Sequence, residues 1–89
     1  MQPELASKKN LASLRKTYTT YIHTLLGRRK ASPNAEKQAQ LAGYINQLFN
    51  IRHNEEWLGG ENVTTETLGR AKAEYARIQR AANKINWRR

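Results

Sequence analysis

Apolar residues recur at alternating steps of three and four along most of the chain, and this spacing selects helices over strands. In the first stretch Leu11, Leu14, Tyr18, Tyr21 and Leu25 follow that rhythm, with Ile22 beside them. In the second the apolar arc is wider, taking in Leu41, Tyr44, Ile45, Leu48, Phe49 and Ile51. A wide arc suits an element with neighbours on two sides. In the third, Leu68, Ala71, Tyr75, Ile78, Ala82 and Ile85 keep a strict heptad a/d pattern.

Breakers separate these stretches. The first helix is expected to start near Pro3 or only after Lys8 and to end around Gly27 to Lys30. Ser32-Pro33 carries a helix start, with serine as cap and proline at the first helical position, where its missing N–H costs nothing. Trp57-Leu58-Gly59-Gly60 then stops the second helix, since adjacent glycines accept a positive φ. Thr64 caps the third, with Val63 and Leu68 placed as a hydrophobic staple. Helices are thus expected over about 7–29, 33–56 and 65–87. Short connections imply antiparallel neighbours, so the expected fold is all-α, an antiparallel three-helix bundle forming a single domain over 1–89. The alternative is an assembly in which the heptads pair between chains.

Size and composition narrow the function classes. Eighty-nine residues make one domain, and 38% hydrophobic content with a mean hydropathy of −0.88 supports one thin core. A deep pocket for a small-molecule substrate is not expected. No run of about 18 apolar residues offers a membrane span. The start, Met1-Gln2-Pro3-Glu4-Leu5, lacks the basic and then apolar pattern of a secretory signal. With no cysteine there are no disulfides, thiolate metal sites or cysteine nucleophiles, which fits a reducing cytoplasm.

Charge is the strongest functional signal. Sixteen Lys and Arg face seven acids, giving +9 and an attraction for polyanions. The excess is uneven. Residues 1–30 hold seven basic residues and only Glu4, and residues 64–89 hold seven against Glu66 and Glu74. Between them, 31–63 hold Lys37 and Arg52 against four glutamates. In the heptad register Lys9, Lys16, His23 and Lys30 share one outward line of the first helix, and Arg70, Arg77 and Lys84 share one on the third, with Arg80 alongside. Ala73, Ala76 and Ala81 lie among the latter and would let a backbone approach closely, although alanine is also the best helix former. The clusters Arg28-Arg29-Lys30 and Arg88-Arg89 have two readings, as phosphate contacts or as cations serving helix C-termini. The dipole does not account for Lys9, Lys16, Arg70 or Arg77.

These residues make the expected function nucleic-acid backbone binding with low sequence specificity, through Lys9, Lys16, Arg28, Arg29, Lys30, Arg70, Arg77, Arg80, Lys84, Arg88 and Arg89. The chain would then be a small subunit of a larger nucleoprotein complex with other protein subunits. A helix-turn-helix reading of bases would need contacts from the start of the third helix, which offers only Thr65, Thr67 and Arg70. Trp87 either stacks on a base beside Arg88 and Arg89 or packs under the end of the bundle. The alternative function is a protein-interaction module, an inhibitor, adaptor or immunity-type protein docking a basic face on an acidic partner. Membrane-surface binding is not expected, because the bulky apolar residues are needed for the core. Enzymatic activity and cofactors are not expected either, since no acid–base pair, phosphate loop or zinc pattern is present. His53 and Glu56, one turn apart, are the only approach to a metal chelate, and no second pair joins them.

Overall fold

The computed structural model describes residues 4–89 and consists of α1 (Lys8–Ala31), α2 (Ala35–His53) and α3 (Thr65–Asn83). It is the three-helix bundle that the apolar spacing implies. The core runs along the seams, with Tyr18, Leu25, Leu41, Leu48, Leu58 and Ile78 fully buried. The heptad residues Leu68, Ala71, Ile78 and Ala82 are buried inside the chain's own core, so the bundle itself uses the stripe.

Connections at the two ends define the topology. At one end Ala6 N–H donates to the Val63 carbonyl at 2.8 Å and Thr65 N–H to that of Glu4 at 2.9 Å, which ties the segment before α1 to the start of α3. At the other, the Arg28 guanidinium donates to Asn83 Oδ1 at 2.8 Å. Thus α1 and α3 run parallel with α2 antiparallel between them, in a rod 51 × 17 × 17 Å across. α1 packs most extensively on α2.

α1 starts at the later of the two expected places, and the helix ends differ from the sequence expectation at the close of α1, at both ends of α2 and at the end of α3. A start near Pro3 lies outside the described residues, but Leu5 to Ser7 are not helical, and Ser7 caps α1 by accepting from Asn10 N–H at 3.1 Å. Ser32 closes α1 rather than opening α2. As the residue before proline it is held extended, at ψ 129°, and its N–H returns to the Arg28 carbonyl at 2.9 Å. Asn34 is the cap of α2, its Oδ1 accepting from Glu36 N–H at 2.9 Å and Lys37 N–H at 3.2 Å. α2 stops at His53, three residues early, because Asn54 turns the chain. Its side chain accepts from Glu56 N–H at 2.8 Å and its carbonyl from Trp57 and Gly59 N–H, each at 2.9 Å.

The glycine pair has a different purpose from the one expected. Neither residue has a positive φ. What Gly59 supplies is room, since a β-carbon there would fall on the His53 carbonyl oxygen, and one at Gly60 would stand 2.5 Å from that of Glu55. At the start of α3 the cap matches, with Thr64 Oγ1 accepting from Thr67 N–H at 3.1 Å and Val63 and Leu68 buried together. α3 ends at Asn83 rather than Trp87, and Lys37 of α2 fastens the turn that follows, donating to the Asn86 and Arg89 carbonyls at 2.7 and 2.8 Å.

Candidate nucleic-acid interface

α1 contains seven cations and no acid. Lys9, Lys16, Arg29 and Lys30 are exposed on it and have no ion-pair partner among the described residues. Lys9, Lys16 and Lys30 stand on the face opposite the Leu14–Tyr18–Leu25 core line, as the seven-residue spacing requires. Arg28 is tethered instead, since Asn83 Oδ1 accepts from both its guanidinium and the Tyr21 hydroxyl, the latter at 2.6 Å.

The cations of α3 are in a different position. Arg77 forms the one ion pair among the described residues, with Glu74 at 2.7 Å, and also donates to Gln47 of α2 at 3.1 Å. Hydrogen bonding to Arg77 holds the Glu74 carboxyl below its ordinary value and raises the guanidinium in turn. The Arg70 guanidinium lies 5.0 Å above the Trp57 ring. Both side chains therefore turn toward the α2 side of α3, and the two basic stripes do not merge into one face. Arg80 and Lys84 are exposed, with Lys84 just past the helix as its C-cap. Arg88 and Arg89 follow in the terminal turn, the Arg88 guanidinium 4.9 Å from the Trp87 ring. Trp87 is partly buried against the core, so its packing role is the one seen.

A groove of about 310 Å³ opens between α1 and α3. Ser13, Thr17, Thr20 and Thr24, at steps of four, three and four, form its α1 wall beside Lys16, and Tyr21 and Tyr75 form its floor. Thr17 and Thr24 donate their hydroxyls to the Ser13 and Thr20 carbonyls at 3.0 and 3.1 Å. Their bonds thus close within the helix. The tyrosines pack as a cluster, with Tyr75 5.5 Å from Tyr18 and 5.6 Å from Tyr21 between ring centres. On α3, Lys72, Ala76, Gln79 and Asn83 form a row at the same steps. Asn83 and the Gln79 carbonyl meet Tyr21, which turns this row toward α1. Lys72 accordingly stands on the groove side. The sequence reading passed over Lys72 because it lies outside the Arg70–Arg77–Lys84 line, although its position in the row with Gln79 was available to mark it.

Two half-buried arginines also escaped the sequence reading. Arg15 reaches across to the α2–α3 connection and donates to the Leu58 and Gly60 carbonyls at 2.7 and 2.9 Å. Beside it the Arg52 Nε is buried without a hydrogen-bond partner, and burial and the Arg15 charge push Arg52 below the ordinary arginine value. His53 stacks on Phe49 at 4.3 Å between ring centres, and no group of three or more His, Asp or Glu gathers among the described residues. No helix of the structure is long and apolar enough to cross a membrane.

The chain matches no protein-family model, no curated protein sequence and no solved structure.

Proposed function

We propose that this protein binds the phosphate backbone of nucleic acid through the outward face of α1, with low sequence specificity. The observation that carries this reading is the uncompensated charge of α1: seven cations, no acid, and an exposed lysine line without ion-pair partners among the described residues. Such a face repels itself within the folded chain and gains only when an external polyanion meets it. Lysines act as compact point charges rather than planar forks, which favours phosphate over base edges. Arg29 and Lys30 extend the line at the end of α1, and Arg80, Lys84, Arg88 and Arg89 supply further charge at that end of the rod. Arg70 and Arg77 have internal partners and contribute less. A cytoplasmic location and a place as a small subunit of a larger nucleoprotein complex belong to this proposal.

The competing reading is an acidic protein partner. Fluorescence anisotropy with labelled oligonucleotides of mixed sequence at low salt separates the two, with polyglutamate as competitor. Binding of every sequence with similar affinity, little displaced by polyglutamate at equal charge, is expected. Absence of oligonucleotide binding at low salt overturns the proposal.

A further inference from the structure

Resting on that reading, we infer that the groove between α1 and α3 receives one single strand of nucleic acid, with a base seated over Tyr75 and its flanking phosphates held by Lys16 and Lys72. Three observations combine here. The first is shape. A duplex is read by a protruding element that enters its groove, and the feature here is concave, about 310 Å³, and walled by two parallel helices. It has room for a planar ring and a length of sugar-phosphate, and none for a double helix.

The second is the chemistry of the floor and walls. Tyr75 is only partly buried and shares the floor with Tyr21, so an aromatic surface lies at the bottom of a polar cleft. Stacking on such a ring tolerates any base, because every base has a π-face. Apart from Lys16, the α1 wall is uncharged. The hydroxyls of Thr17 and Thr24 are directed to their own helix carbonyls, which leaves short walls that exclude little. On α3, Ala73 and Ala76 are exposed, and a β-carbon at Gly69 would meet nothing within 4 Å, so the α3 surface is low at these three positions.

The third is the placement of charge. Lys16 lines the α1 bank and Arg28 stands at the end where Asn83 holds it, while Lys72, exposed in the α3 row of Gln79 and Asn83, stands beyond the lining residues on the other side. Lys9 continues the α1 bank about two turns further down. Cations flanking an aromatic-floored cleft match a chain with anionic linkers and flat bases. An acidic peptide would use the cations but not the rings.

The test compares a single-stranded oligonucleotide with a duplex of equal length at one salt concentration, using the full chain and its Tyr75→Leu, Tyr75→Phe and Lys72→Gln variants. The single strand is expected to bind more tightly. Tyr75→Leu should weaken it roughly tenfold at unchanged salt slope, Tyr75→Phe should keep parent affinity, and duplex binding should not change. Because Tyr75 also packs on the core, crosslinking of a 4-thiouracil oligonucleotide to the parent chain gives an independent readout. Adducts confined to residues 13–24 and 72–83 support the groove. Equal affinity for single and double strands, or adducts elsewhere with oligonucleotide bound, overturns the groove and leaves the backbone-binding reading standing. No binding of either form at low salt overturns both.

Discussion

Arg15 and Arg52 show how much of this fold depends on single side chains with distant partners. Arg15 bridges from α1 to the Leu58 and Gly60 carbonyls, so its charge satisfies a turn that lacks helical hydrogen bonds. Arg52, beside it, leaves a buried Nε without a partner and faces a like charge. Replacing the first should therefore destabilise, and replacing the second should not. Arg15→Met is expected to cost about 2 kcal/mol, and Arg52→Met to leave stability unchanged or raise it by about 1 kcal/mol. Thermal melts followed by circular dichroism measure both, and equal losses would contradict the assignment. Neither role was legible in the sequence, since the carbonyls that Arg15 meets lie more than forty positions away and carry no side-chain signature. Tyr18 was legible as a core residue from its spacing, but the bond from its hydroxyl to the Ala71 carbonyl at 2.6 Å was not. Burial raises the Tyr18, Tyr21 and Tyr75 phenols above their ordinary 10.0. In the unfolded chain these groups ionise near that value while the folded protein still holds their protons. Their contribution is thus complete below pH 10 and is lost as pH rises toward the folded values. Urea midpoints measured from about pH 8 to 11 should fall above 10, and less steeply in Tyr18→Phe. An identical slope in that variant would contradict the assignment of Tyr18.

At the scale of elements, the spacing of apolar residues placed all three helices, and the places where it misjudged their ends have local causes. Ser32-Pro33 reads as a helix start, yet Asn34 is the cap, because the pre-proline restriction suits a residue leaving a helix as well as one entering it. Asn54 ends α2 ahead of the glycines by turning its amide onto the following backbone. The glycines then serve closeness of approach rather than an unusual φ, which no sequence pattern distinguishes. This predicts opposite outcomes for one substitution at different sites. Gly59→Ala should cost about 2–3 kcal/mol, since its β-carbon meets fixed backbone. Gly43→Ala, inside α2 with nothing within 4 Å, should gain about 0.5–1 kcal/mol from helix propensity. Chemical denaturation resolves differences of this size. A neutral Gly59→Ala would show that the turn relaxes at no cost.

For the whole molecule, the sequence revealed that charge gathers on α1 and α3 and not how the helices orient it. The heptad lines predicted two outward stripes, and α3 turns Arg70 and Arg77 toward Trp57, Glu74 and Gln47. Gln47 and Trp57 meet α3 because α2 and the turn after it fold back along it, which short connections alone do not display residue by residue. Glu74 lies one turn before Arg77 on α3 itself. The α1 line remains without ion-pair partners among the described residues, with the tyrosine-floored groove beside it. The central claim is that this line meets phosphates, and the salt dependence of oligonucleotide affinity measures it most directly. For a single strand, each phosphate contact contributes about 0.7 to the slope of log affinity against log salt. Changing Lys9, Lys16 and Lys30 together to Gln should lower that slope by about 2, while Arg77→Gln should change it by well under one. An unchanged slope in the triple variant, or an equal fall in both, would contradict the account.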